Sequence, residues 1–168
     1  MLVDEIKKFS IESKINFDFN YNLKKSNWFN IGGKTKVYFK PKSLPNLIKF
    51  LKIFGTKEKI FIIGAGSNTL IKDDIFDGIV IKLGKEFSNI SLLPNGIIVA
   101  GSACKDKKLS EFARDNEIGG LEFLSCIPGT IGGGLRMNAG CFNREIKDVL
   151  LSVQAVDKLG RVVTIPAN

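Results

Sequence analysis

The chain has 168 residues, 44% hydrophobic and 25% charged, with 17 glycines, three cysteines and no histidine, which suits one domain or two small subdomains sharing a core. A chain of this size buries roughly 70% of its unfolded surface without a disulfide or metal staple; no run nears the ~18 apolar residues of a membrane span, and the lack of histidine removes any Ser-His-Asp or Cys-His relay and makes a zinc site improbable. The net charge of +8 rests on scattered lysines, with arginine at four of 25 basic positions, and so points to a solvated surface attracting polyanionic substrates, not to a reader of nucleic-acid bases.

Leu2, Ile6, Phe9 and Ile11 share a face and predict a helix over 2–13. Its early acidic residues and lack of a long apolar core argue against a secretory signal, so the default address is the cytoplasm. Residues 16–30 show no clear period and read as an extended arm or loop. Residues 35–40 alternate through Val37 and Phe39 and predict a strand stopped by Pro41. Leu44, Leu47, Ile48 and Leu51 predict a helix over 44–54, with Ser43 as N-cap and Gly55 as C-cap. Residues 59–63 (KIFII) read as a short buried strand, and 78–83 as another. The order strand, helix, strand, glycine-rich turn, strand predicts a small βαβ-type unit with parallel strands.

Pro94-Asn95-Gly96 between 87–93 and 97–100 is a hairpin signal. Residues 106–116 place Leu109, Phe112 and Ala113 on one helical face. Residues 149–156 and 162–165, joined by 157–161, predict a second hairpin. The back half therefore reads as an antiparallel α+β layer, with a boundary near 83–89. The expected organisation is a helix and arm over 1–21, a first subdomain over 22–85 and a second, incomplete one over 86–168, which stops directly after a strand.

The densest signal is residues 121–143, LEFLSCIPGTIGGGLRMNAGCFN. Gly129, Gly132, Gly133, Gly134 and Gly140 are threaded there through Leu121, Phe123, Leu124, Ile127, Ile131, Leu135 and Met137. Apolar residues make such a stretch pack, and glycines let something approach its backbone. Two readings are open: a backbone wall against a flat or phosphorylated ligand, and a tight crossing of two chain segments. Gly64-Ala65-Gly66-Ser67-Asn68 leaves the KIFII strand; it reads either as a nest of N–H groups for anionic oxygens or as an ordinary strand-end turn. Thr69 stands where GxGxxG needs its third glycine, and no Lys-Ser/Thr pair follows for a P-loop. Asn30-Ile31-Gly32-Gly33 is a third, weaker cluster. Asp73, Asp74 and Asp77 fit no calcium-loop spacing and read as solvated. Cys104 and Cys126, among apolar or small neighbours, read as buried thiols.

As a set, the three clusters resemble one family, UDP-N-acetylenolpyruvoylglucosamine reductase, the flavoenzyme of peptidoglycan precursor synthesis. Residues 27–33, NWFNIGG, resemble its N-T-F-x-I-G-G, with Trp28 in place of the usual threonine. Gly64 to Leu70 is similar to G-x-G-S-N-x-L. Gly120-Leu121-Glu122, then Ile127 to Gly133 and Met137 to Gly140, resemble G-L-E, I-P-G-T-V-G-G and M-N-A-G in order and spacing. The resemblance covers about residues 22–165.

It implies an α+β FAD-binding fold of the vanillyl-alcohol-oxidase type, with two subdomains, the second truncated, and no substrate-binding domain. By resemblance, Ile31 and Gly32 belong to the cofactor site, and Gly64, Ala65, Gly66, Ser67, Asn68, Thr69 and Leu70 hold the FAD pyrophosphate. Ile127, Pro128, Gly129, Thr130, Gly133, Met137, Asn138, Ala139 and Gly140 line the flavin and ribityl chain. Phe142 stands where the family often has an aromatic residue; Asn143 replaces a common glycine. The implied cofactors are FAD, and NADPH as hydride donor. The implied partner is a UDP-sugar, which needs a C-terminal domain absent here and supplied, for instance, by a separately encoded half. No metal, nucleic acid or membrane is implied. The family's arginine lies in a Y-R-x-S motif, and its proton-donating serine and stabilising glutamate lie in the third domain. None of these is present, so the resemblance implies no catalytic residue here. A flavin-binding module without catalysis is the alternative reading.

Overall fold

The structure, a computed structural model, describes residues 2–167. The chain forms two units. Unit 1 extends to Gly84 and takes in 156–162; unit 2 extends from Lys85 to Ala155 and resumes at Val163.

Unit 1 begins with helix α1 (Leu2–Ser13), which buries Ile6 and Phe9 as its spacing predicts; Ile11, expected on that face, is exposed. Strand β1 (Asp18–Asn22) runs antiparallel to β2 (Lys34–Phe39). Helix α2 (Leu44–Phe54) starts where the Ser43 hydroxyl accepts from the Asn46 N–H, and the Gly55 N–H closes it onto Leu51. Strands β3 (Ile60–Ile62) and β4 (Phe76–Ile81) complete a four-stranded sheet of order β1-β2-β4-β3, in which β4 runs parallel to both β2 and β3. The parallel unit expected from the strand and helix order is therefore present.

Aromatic rings hold the helices to this sheet. Phe17 stacks on Phe39 at 4.6 Å, Phe39 meets Phe50 at 4.7 Å, and Phe50 meets Phe54 at 5.3 Å. Phe9 of α1 meets Phe54 edge-on at 5.4 Å. Such pairs contribute about 0.5–1.5 kcal/mol each beyond the area they bury. The tip 157–160 also packs in unit 1. The Asp157 carboxylate accepts from the N–H groups of Leu159 and Arg161, and a Cβ on Gly160 would lie 2.9 Å from the Ile48 carbonyl of α2.

Unit 2 holds the hairpin β5 (Ile90–Leu92) with β6 (Ile98–Ala100), helix α3 (Asp106–Asp115) and the short helix α4 (Ile131–Arg136). A two-residue ladder joins β7 (Gly140–Cys141) to β8 (Arg144–Glu145), and β9 (Ser152–Val156) pairs with β10 (Val162–Pro166). Its core is Cys104, Leu109, Phe123, Leu124 and Ile146. Both predicted hairpins and the predicted helix are present.

Three local expectations change. Part of the supposed arm is strand β1, whose Asp18, Asn20 and Asn22 are exposed while Phe19 and Tyr21 are half-buried. The KIFII run is buried only at its end: β3 lies at the sheet edge with Phe61 and Ile62 exposed, while Ile63 just beyond it is in the core. Cys104 is buried as expected, but Cys126 is exposed.

Phe50→Ala is expected to cost ~3–5 kcal/mol through the cavity it leaves, read as a lower urea midpoint. Phe142→Ala, at a side chain 78% exposed, should stay within ~0.5 kcal/mol of the parent. Equal midpoints for the two variants would contradict an aromatic core in unit 1.

Candidate functional site

In unit 1 the segment 23–33 folds around Asn27. Its side-chain amide is buried and donates to the carbonyls of Leu23 at 3.0 Å and Ile31 at 2.8 Å. Its Oδ1 has no donor among the described residues. The Trp28 N–H donates to the Gly66 carbonyl at 3.1 Å, so the glycine turn after β3 lies against this segment. Gly66 is buried at φ +72°, and a Cβ there would run into the Ser26 carbonyl oxygen. Glycine is required at this position by the chain's own backbone. The same holds at Gly33, whose Cβ would strike the carbonyls of Asp73 and Asp74, and Gly32 lies against Ile71. Asp73 accepts from the Gly32 N–H at 3.3 Å, and the Gly33 N–H donates to the Lys72 carbonyl at 2.7 Å.

These contacts give the glycines of the turn a structural role, close packing of the chain against itself, in line with a strand-end turn. Its N–H side is different. Among the described hydrogen bonds, none takes the N–H of Gly64, Ala65, Gly66 or Ser67. Backbone N–H groups are obligatory donors, so this run is available to an acceptor. Ile31, Asn68 and Leu70 are exposed, and Ser67 and Thr69 are half-buried. Within unit 1 the structure thus brings 26–33 and 64–67 together.

In unit 2, residues 127–130 lead into α4. The Ile131 N–H donates to the Cys104 carbonyl at 2.9 Å, and the Gly132 N–H to the Ser102 carbonyl at 2.8 Å. Gly129 and Gly140 again face the chain itself: a Cβ would meet the Asp106 carboxylate and the Arg144 carbonyl respectively. Gly133 is more open, with only the Thr130 hydroxyl nearby at 3.3 Å. Asn138 is engaged internally. Its amide donates to Glu145 at 2.8 Å and accepts from the Lys147 N–H at 3.0 Å. Ala139 anchors the same corner by donating to the Gly134 carbonyl. Pro128 and Met137 are exposed, and Ile127, Gly129 and Thr130 are half-buried. Phe142 and Asn143 both have positive φ, 54° and 60°, so the asparagine in place of the family's glycine still makes the turn; asparagine tolerates this region better than most residues.

Two side chains escape the sequence reading. Asp106, at the first turn of α3, has no solvent exposure, and neither carboxylate oxygen has a partner among the described residues. It lies against Gly129, with Oδ1 3.6 Å from where a Cβ on Gly134 would be. Burial pushes its pKa up to about 6. Lys82, just past β4, is half-buried and donates to the Ser26 carbonyl at 3.5 Å. Burial first, and then the charge of Lys40, hold its pKa below the ordinary lysine value. Nothing in the local patterns around either residue marks it. Among the described residues, no group of three or more Cys, Asp or Glu side chains is placed to hold a metal ion.

The model of the FAD binding domain matches residues 35–166. The chain belongs to this FAD-binding family. It is 73% identical, over its full length, to the UDP-N-acetylenolpyruvoylglucosamine reductase of Pelagibacter ubique, of which it covers 56%. It is 43% identical to the enzyme of that name from Rickettsia canadensis, over 86% of this chain and 49% of that one. The chain therefore spans about half the length of the curated relatives it matches. The crystal structure of UDP-N-acetylenolpyruvylglucosamine reductase from Thermus caldophilus superposes with a TM-score of 0.74 at 25% identity, covering 91% of this chain and 52% of that one. Berberine bridge enzyme from Eschscholzia californica, at 13% identity and a TM-score of 0.56, shares the fold. The α+β FAD-binding fold implied by the family resemblance is the fold observed.

Asp106 makes stability depend on pH. Its folded pKa of about 6 lies above the ordinary 3.8, so the folded state holds the proton more tightly than the unfolded one. The penalty is absent below about pH 4 and grows as pH rises through 6. Asp106→Asn is expected to remove a loss of roughly 3 kcal/mol across that window, at 1.36 kcal/mol per pKa unit. Urea unfolding of parent and variant at several pH values measures the difference. A gap between them that stays constant from pH 4 to 7.5 would show that Asp106 does not titrate this way.

Proposed function

We propose that this chain is the FAD-binding portion of an NADPH-dependent reductase that converts UDP-N-acetylglucosamine enolpyruvate to UDP-N-acetylmuramate, a cytoplasmic step of peptidoglycan synthesis that serves cell shape and division. The observation that carries the reading is 73% identity over the whole chain to a reductase of that name, together with the three glycine motifs in the family's order.

FAD, when bound, supplies a hydride carrier between NADPH and the enolpyruvyl double bond; the protein supplies position and charge. At the phosphate end, the unpartnered N–H groups of Gly64 to Ser67 suit anionic oxygens. Ser67, Asn68, Thr69 and Leu70 extend that turn, and Ile31 and Gly32 border it. At the ring end, Ile127, Pro128 and Met137 offer apolar surface, and the open face of Gly133 admits a flat group. On this reading Gly129, Asn138, Ala139 and Gly140 serve the cofactor by shaping the backbone around it.

On this reading the UDP-sugar is bound and protonated by parts of the reductase outside these 168 residues. Neither Tyr21 nor Tyr38 is followed by arginine, so no Tyr-Arg-x-Ser motif is present. Absence of one positioned acid costs ~10²–10⁴ in rate, and of one oxyanion donor ~10²–10³. The chain alone is therefore expected to bind FAD more tightly than ATP, followed by flavin fluorescence and competition. It is also expected to consume no NADPH with the enolpyruvyl substrate until a C-terminal piece is added. Preference for ATP would sink the cofactor assignment, and turnover by the 168-residue chain alone would sink the division of labour.

A further inference from the structure

We propose that Lys82, with Lys40 beside it, is a phosphate-binding residue of unit 1, its ammonium group holding an oxygen of the dinucleotide's pyrophosphate; this rests on the FAD reading above and adds a residue that the glycine motifs do not contain.

The topology brings the parts together. Strands β2, β4 and β3 are parallel neighbours, and their last pairs are Phe39 with Ile81 and Ile62 with Ile81. One step beyond, the same edge carries Lys40 after β2, Lys82 after β4 and the approach to Gly64 after β3. The Lys82 N–H still donates to the Phe39 carbonyl at 3.0 Å and the Ile63 N–H to the Ile81 carbonyl at 2.9 Å, which fixes these three ends relative to one another. In open parallel sheets, ligands bind at the carboxyl ends of the strands. Gly84 leaves room for the Lys40 stem, since a Cβ there would lie 2.9 Å from its Cε.

The charge is uncompensated. Among the described residues, no carboxylate pairs with Lys40 or Lys82; the ion pairs near unit 1's sheet and tip are Lys36 with Asp77 and Arg161 with Asp157. The contact of the Lys82 ammonium is the Ser26 carbonyl at 3.5 Å. That carbonyl is also the atom against which Gly66 is packed. The Lys82 ammonium and the Gly66 turn therefore both lie against the Ser26 carbonyl. A half-buried ammonium beside a second cation is unfavourable until an anion joins it. The depressed pKa of Lys82 has the same origin: lost hydration first, then Lys40.

The test compares parent, Lys82→Met, Lys82→Arg and Lys57→Met, the last an exposed lysine that changes net charge equally. FAD binding is followed by fluorescence and ADP binding by calorimetry, each across a salt series. For Lys82→Met, affinity for both ligands should fall about 10- to 100-fold, with a shallower salt dependence and a ligand-free melting temperature no lower than the parent's. Lys82→Arg should recover most of the loss, and Lys57→Met should match the parent. Unchanged affinity in Lys82→Met while the parent binds FAD overturns the role of Lys82 and leaves the FAD reading standing. A parent that binds ADP but not FAD, with ADP binding lost in Lys82→Met, overturns the FAD reading and supports the phosphate site. A parent that binds neither overturns both. Equal losses in Lys82→Met and Lys82→Arg with the parental salt slope show a packing role and overturn the proposal.

Discussion

Two hydrogen bonds from the buried Asn27 amide, to the carbonyls of Leu23 and Ile31, close the loop that follows β1. Much of unit 1's proposed site depends on that closure. It sets the Ser26 carbonyl, which both Gly66 and Lys82 meet, and it aims the Trp28 N–H at the Gly66 carbonyl. Each bond is worth about 1 kcal/mol net, but losing the amide would orphan the buried Leu23 carbonyl at about 1–3 kcal/mol. Asn27 also leaves its own oxygen without a donor among the described residues, a cost that the rest of the loop has to offset. A buried amide with two donors can bridge two carbonyls on one side of a loop, which neither aspartate nor a hydroxyl can do.

The glycine clusters illustrate why a motif is not a contact list. Several of the glycines are accounted for by the chain packing against itself. At Gly33 and Gly66 the group that excludes a side chain is the protein's own carbonyl. The glycine contacts pack one side of the turn, and among the described residues the N–H groups from Gly64 to Ser67 have no acceptor. In unit 2, Gly129 is opposed by a buried carboxylate and Gly140 by a carbonyl, while Gly133 is comparatively open. One substitution at Gly66 would thus disturb the crossing and the turn together, whereas a change at Lys82 touches charge with less effect on backbone.

Most of the architecture was legible because its signals are local. Ser43 caps α2 through its own hydroxyl, and Pro94-Asn95-Gly96 turns the β5–β6 hairpin. Strand β1 was hidden because Asp18, Asn20 and Asn22 occupy its exposed positions, and these residue types are depleted in strands. The exposure of β3 was hidden because strand order in a sheet is a tertiary fact: Phe61 and Ile62 would be buried in a central strand and are open at the edge. Asp106 and Lys82 were hidden for a related reason. Each sits at an ordinary helix start or strand end, and its unusual state comes from burial and from the absence of a partner, neither of which a neighbouring residue in sequence records.

The chain enters unit 2 at Lys85, returns to unit 1 for 156–162 and leaves again at Val163. The returning tip seats on α2 at two points: Gly160 against the Ile48 carbonyl, and the Lys158 carbonyl against Gly55. A single genetic crossover near residue 84 would therefore not exchange the units cleanly. It would import a foreign tip onto the resident α2, where any residue larger than glycine at 55 or 160 collides with backbone. Residues 48–55 and 157–160, far apart in the gene, thus form one packing unit, and a crossover between them leaves it intact only where glycine stands at both 55 and 160.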